Sequence, residues 1–299
     1  MKIISVLLLV AISFSGFSQD KLLTIRDAII GYHLYPRGLS DPQWLPGGKW
    51  FSQIAVIDGK QTLEVQQIAS TKGGNISVSL EDVNAGLPLD AKLKSLPRAN
   101  WLSVREFQFI SNDKGYAYNI AEKKTRRLTF ENSVGVNRPQ FFTDGSGMYG
   151  ETATGFGYCR NHKEIEIYSD TGGIILGKTV HRSEFGITKG LFPSPSNKLM
   201  AYYDMDERMV TQYPLFQLED TPATAKMLRY PTAGAKSHHV LVKVKNMETD
   251  ADPIVIATTG DKEQYLTNIS WTADNKFILI AIVNRAQNHM LLNQYEAAT

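Results

Sequence analysis

The sequence predicts an all-β chain built as an incomplete β-propeller, and three observations carry that expectation. Short stretches alternate apolar and polar residues with a period of two. Aromatic residues recur just ahead of turns rich in Gly, Pro, Asn or Asp. Helical periodicity is nearly absent after residue 40.

The N-terminus reads as an export signal, residues 1–18. Lys2 precedes an apolar stretch from Ile3 to Phe14 that only two serines interrupt, and Gly16 and Ser18 supply small residues where a signal peptidase reads. The stretch falls short of the roughly 18 apolar residues of a membrane span. Export to the periplasm, outer-membrane association included, or to the medium is therefore expected. Residues 19–40 form an N-terminal segment in which Leu22–Ile30 has a helical pattern, with Thr24 as a cap ahead of Asp27. Residues 41–299 are expected to form the partial propeller domain.

Composition removes several function classes. There are 32 basic and 30 acidic residues, a net charge of +2, and no basic block, which argues against nucleic acid as a partner. With Cys159 as the single cysteine, neither an intrachain disulfide nor a cysteine-type zinc site can form. No cofactor is implied. Stability has to come from apolar burial.

Individual strands follow from the pattern. In Lys198–Met205, Leu199, Ala201, Tyr203 and Met205 alternate with Met200, Tyr202 and Asp204. Val240, Val242 and Val244 share one face of His239–Lys245, and Ile165 and Ile167 one face of Glu164–Tyr168. Phe277–Val283 is a continuous apolar run, the pattern of a strand covered on both faces.

The turns repeat. Five segments place an aromatic before a turn and an apolar strand: Trp44-Leu-Pro-Gly-Gly-Lys, Phe109-Ile-Ser-Asn-Asp-Lys, Phe141-Phe-Thr-Asp-Gly-Ser, Phe192-Pro-Ser-Pro-Ser-Asn and Trp271-Thr-Ala-Asp-Asn-Lys. Their aromatics lie 65, 32, 51 and 79 residues apart, whereas a four-stranded blade takes about 40–50 residues. Irregular blades with insertions fit this, opening near each aromatic, with the turn linking an outer strand to an inner one. A β-sandwich also uses such hairpins, so the repeats alone leave it open. A closed ring of seven or eight blades needs about 300–400 residues. An open arc, from a chain that stops short of a full propeller, is the expectation.

Catalytic signatures are missing. A G-x-S-x-G elbow marks an α/β-hydrolase; Ser40 lacks the second glycine of that spacing, and Ser146, with Asp144 and Met148 two residues away on either side, lacks both. The chain is expected to hold no catalytic residue of its own and to be inactive alone. His238 and His239 suggest a metal, but neighbouring strand residues point to opposite faces; no metal site is expected, and one solvated and one half-buried histidine are. The informative segment is Val180-His-Arg-Ser-Glu-Phe-Gly-Ile-Thr-Lys-Gly190, which breaks the strand pattern and gathers His181, Arg182 and Glu184 beside Phe185. Glu184 can hold an ammonium group through a charge-assisted hydrogen bond, or pair with Arg182 or Lys189 on a solvated loop.

From about Thr179 onward the chain resembles the propeller of the dipeptidyl peptidase IV family, and within it the bacterial prolyl tripeptidyl aminopeptidases. Five separated blocks carry the likeness: His181–Ile187 with Lys189–Pro195; Leu199–Asp206 with Met209–Val210; Arg229–Gly234; Ser237–Val240; and Tyr265–Trp271 with Asn284–Asn288. Residues 20–178 match more loosely, through Leu23-Thr-Ile-Arg-Asp27 and the turns. The resemblance implies a propeller capping an α/β-hydrolase domain that would supply serine, base and oxyanion hole. It implies peptide substrates with a free N-terminus, cut two or three residues in after proline, and a homodimer as a further partner. Glu184 matches the glutamate that captures the substrate amine, with His181, Arg182 and Phe185 as supporting loop residues. Ser183 stands where animal members carry a second glutamate, which leaves dipeptide and tripeptide release both open. The alternative function is a non-catalytic propeller that acts as a binding module.

Overall fold

The computed structural model describes residues 23–31, 38–68, 74–132, 135–160, 163–168 and 172–297. The export signal expected at 1–18 lies outside them. Contacts divide the chain into Met1–Ser40 and Asp41–Thr299. In the first unit the helical expectation is met in part: a five-residue π-helical turn spans Arg26–Ile30. The Thr24 hydroxyl accepts from the Asp27 N–H, and the Thr24 N–H donates back to the Asp27 carboxylate.

Among the described residues of the second unit, antiparallel strands follow one another as up-and-down sheets. The first sheet runs Ser40–Trp44, Trp50–Ile57, Lys60–Gln67 and Ile76–Ser79; the second Asn100–Ser103, Glu106–Ser111, Lys114–Asn119 and Lys124–Glu131. The third runs Asn137–Phe141, Gly147–Glu151, Gly155–Arg160 and Lys163–Tyr168. The fourth has Leu199–Asp206, His239–Asn246 and Ile254–Ile256, with an edge strand broken into Ile174–Leu176 and Leu191–Pro193. The fifth is Tyr265–Trp271, Phe277–Val283 and Met290–Glu296, and a hairpin of Gln212–Gln217 with Thr224–Arg229 is inserted in the fourth.

Packing excludes the sandwich. Two facing sheets share one core, whereas here each inner sheet feeds two. In the second sheet Tyr116 and Tyr118 point into a core shared with the first, while Ala117 between them packs with Met148 and Cys159 of the third. Met148 and Tyr149 likewise face opposite neighbours. In the fourth, Met200 and Tyr202 meet Phe156 of the third sheet, and Ala201, Tyr203 and Met205 meet Ile278 and Ile280 of the fifth. Consecutive sheets are thus stacked face to face by strict alternation, as propeller blades are. Hydrogen bonds stitch the same pairs: Trp101 Nε1 donates to Ser52 Oγ at 3.0 Å, Gln108 Nε2 to the Phe142 carbonyl at 3.1 Å, Asn197 Nδ2 to Thr143 Oγ1 at 3.0 Å, and Trp271 Nε1 to the Phe192 carbonyl at 2.9 Å.

The repeated turn is real and has one geometry. At Leu45, Phe142, Ser194 and Thr272 the N–H donates to the carbonyl five residues on, and the residue three further on donates back to its carbonyl. That last residue is left-handed each time, and it is Gly48, Gly145, Asn197 or Asn275, the types that reach positive φ most cheaply. Each of these turns joins the first, edge strand of a sheet to the second. Phe109 is the correction. It lies inside the second strand of its sheet, which opens instead at Asn100, with Trp101 as its junction aromatic. Two further differences are local. Leu80–Ala85 is an α-helix that the sequence reading passed over, begun by a Ser79–Asp82 capping box. Phe277–Val283 buries only one face fully: Ile278, Ile280 and Ile282 enter the core while Phe277, Leu279 and Val283 stay partly open.

Candidate functional site

The segment singled out in the sequence is an excursion from the edge strand of the fourth sheet. Leu176 pairs with Asp204 and Leu191 with Tyr202. Between them Gly177 N–H donates to the Tyr203 carbonyl and Tyr203 N–H to the Gly190 carbonyl. The chain therefore leaves and rejoins the sheet opposite a single residue, and its two legs touch at Gly177 and Gly190.

Within the loop, His181, Arg182, Ser183 and Phe185 all hold φ between 49° and 63°. Each left-handed non-glycine costs about 1–2 kcal/mol, so the surroundings must impose the shape. They do so from both ends. Val180 and Ile187 are buried in the core between the fourth and fifth sheets. The Phe185 carbonyl accepts from Thr267 Oγ1 at 2.7 Å, and its ring packs 4.8 Å from that of Tyr265. The Arg182 guanidinium stacks 4.1 Å above Tyr230. His181 is 3 % exposed, lies 4.7 Å from the Tyr265 ring, and meets His238, with Nδ1 to Nε2 at 2.8 Å. Glu184 alone among these is extended, at φ −68° and ψ 162°, and it is exposed.

Arg182 is engaged by Tyr230, and Lys189 sits 5.2 Å from the Phe192 ring; among the described residues neither is ion-paired with the Glu184 carboxylate. The histidine expectation also needs correcting. His239 is half-buried as expected, but His238 is fully buried, because its partner is His181, 57 positions earlier. Among the described residues no three His, Cys, Asp or Glu side chains are grouped to hold a metal.

Sequence reasoning missed the supporting shell of Tyr230, His238, Tyr265, Thr267 and Arg285. Arg285 Nη1 and Gln287 Nε2 both donate to the Tyr265 hydroxyl, and Arg285 lies 3.8 Å from Glu263. A signal was present. These residues sit in the separate blocks that carried the resemblance, and the fold brings those blocks together around the 181–186 loop. Beside it, Arg182, Tyr213, Leu215, Leu228, Tyr230 and Thr232 line a cavity of about 440 Å³.

The stacked antiparallel sheets, the last of them three-stranded, define a β-propeller-type fold with one pinned loop leaving its fourth sheet. Residues 158–299 match the model of the dipeptidyl peptidase IV N-terminal region. The chain is similar to the crystal structure of a protein assigned as a dipeptidyl aminopeptidase IV from Bacteroides ovatus, with a TM-score of 0.71 and 32% identity over 88% of this chain and 36% of that one. It shares its fold with Porphyromonas gingivalis dipeptidyl peptidase 4, with a TM-score of 0.66 and 17% identity over 94% of this chain and 41% of the other. The chain thus spans well under half the length of either.

Proposed function

We propose that this chain is the N-terminal, substrate-gating propeller of an exported serine exopeptidase that removes di- or tripeptides after proline, and that Glu184 receives the substrate's N-terminal ammonium. The observation that carries the reading is the exposed, extended Glu184 on a loop whose other residues are held in strained conformations by the blade beside it. A carboxylate carried on a fixed loop, with no ion pair among the described residues, can count residues from a free amine. The bond that many residues inward would then be presented to a serine, base and oxyanion hole supplied by a hydrolase domain.

Two measurements test this. In the intact protein, Glu184→Gln keeps shape and hydrogen bonding but removes the charge. Loss of a charge-assisted contact of about 1.5–3 kcal/mol lowers kcat/KM for free-amine substrates roughly ten- to hundredfold. N-acetylated substrates, already poor, should change little. Equal cleavage of both substrate types by the variant and its parent would return Glu184 to a solvated loop residue. The 299-residue chain alone is expected to release nothing from Gly-Pro or Ala-Ala-Pro chromogenic substrates, since hydrolysis needs an activated nucleophile and an oxyanion hole. Turnover that survives repurification and responds to a serine-directed inhibitor would overturn that assignment.

A further inference from the structure

The first strands of the blades carry a second pattern. Three residues ahead of each junction aromatic stand Asp41, Arg98, Arg138, Lys189 and Asn268, so three consecutive blades present a cation at the same place in the repeat. Asp41, Arg138 and Asn268 hold φ of 47–49° there, and the pairing register shifts beside Arg138 and Asn268. Such bulges turn a side chain away from the pleat. Arg138 consequently lines two adjoining cavities, of about 870 Å³ and 330 Å³, the smaller of which is also walled by Lys189.

The larger cleft lies among the first three sheets. The charged side chains in its wall are all cations, Lys94, Arg98 and Arg138, and uncharged polar side chains, Gln43 and Gln140 among them, lie beside these. Asp41 offsets Arg98 at 3.6 Å, but among the described residues Lys94 and Arg138 have no acidic partner. Glu151 offsets part of the charge in the smaller cavity only. The rest of the wall is apolar, with Phe109, Ile110, Pro139 and Phe141. Cations with no carboxylate among the lining residues, amides that can both donate and accept, apolar walls and a volume far larger than an inorganic ion needs together suit an anionic peptide.

We propose that this cleft binds a carboxylate-bearing peptide segment, Arg138 and Lys94 taking the carboxylate and the Gln43 and Gln140 amides facing its peptide groups. The site is separate from Glu184 and does not rest on its role.

The test is fluorescence anisotropy of a labelled, glutamate-rich hexapeptide titrated with the full chain at low salt, beside its glutamine counterpart. The acidic peptide should bind at least about tenfold more tightly, and 0.5 M NaCl should erase most of that difference. Arg138→Gln and Lys94→Gln, both surface changes checked by thermal unfolding, should each weaken it about three- to tenfold. Equal affinity for the two peptides, indifference to both variants, or no binding at millimolar concentration would overturn the proposal. Displacement by inorganic phosphate at concentrations matching the peptide would overturn the peptide class.

Discussion

Gly190→Ala should destabilise the chain by about 3 kcal/mol or more and displace the Glu184 loop, although alanine fits the backbone angles at that position. A Cβ on Gly190 would stand 2.3 Å from the carbonyl oxygens of both Gly177 and Lys178. Those atoms belong to the outgoing leg of the loop and are fixed by the ladder to Tyr203, so relief requires the legs to separate and the Gly190–Tyr203 bond to lengthen or break. Overpacking against backbone costs about 1–3 kcal/mol and sometimes more, and a ladder bond adds about 1 kcal/mol. Gly186→Ala is the contrast. Gly186 has φ +74° with nothing within 4 Å of a Cβ, so only the left-handed penalty of about 1–2 kcal/mol applies. Urea midpoints of the two variants separate the mechanisms. A Gly190→Ala variant as stable as its parent would show that the two legs do not meet there.

What the sequence made legible follows from where local chemistry is obligatory. Four junction turns were readable because their left-handed position admits Gly or Asn at least cost, and Gly48, Gly145, Asn197 and Asn275 advertise it. Phe109 misled for the same reason. It precedes a tight turn at Asn112–Asp113, both left-handed, that joins the second and third strands of its sheet. The true junction of that blade turns through Val104 and Arg105, which carry no turn signature and need none. Alternation in Leu199–Asp206 was legible, but not that both its faces lie in cores, since an apolar residue does not say which neighbour covers it.

The candidate site divides in the same way. The 180–190 segment announced itself by breaking the strand period. The company it keeps did not, because Tyr230, His238 and Tyr265 reach it only through stacking of the fourth and fifth sheets. His238 shows the limit of a local rule. Alternation correctly separated it from His239, yet assigned it no partner, and the partner decides its chemistry.

Acidification from pH 7 to 4 should remove several kcal/mol of stability, beginning near pH 6.5, with the 181–186 loop as the origin of the loss. The His181 backbone N–H donates to His238 Nε2 at 3.2 Å, so that nitrogen carries a lone pair and His238 is neutral. Facing the same atom at 2.8 Å, His181 Nδ1 then bears the proton, which leaves its Nε2 bare, buried and without a partner. A further proton on His238 would confront two N–H groups, and one on His181 would sit desolvated. Burial, then His238 and Arg285, push His181 down to about 3. Burial, then Arg285 and His239, push His238 down to about 4, against a smaller upward pull from Glu263. The unfolded chain takes up these protons near pH 6.5 and the folded chain does not, so stability is full above 6.5 and falls as pH drops toward 4. The displacement of His238 alone, from 6.5 to about 4, corresponds to about 3 kcal/mol. Asp206, held down to about 2 by Arg208, acts only below its ordinary value of 3.8, outside this window. Urea unfolding at pH 7, 5.5 and 4.5 should therefore show a steep fall for the parent and a shallower one for His238→Gln, which cannot titrate. Parallel slopes for the two proteins would show that the histidine pair is not the source.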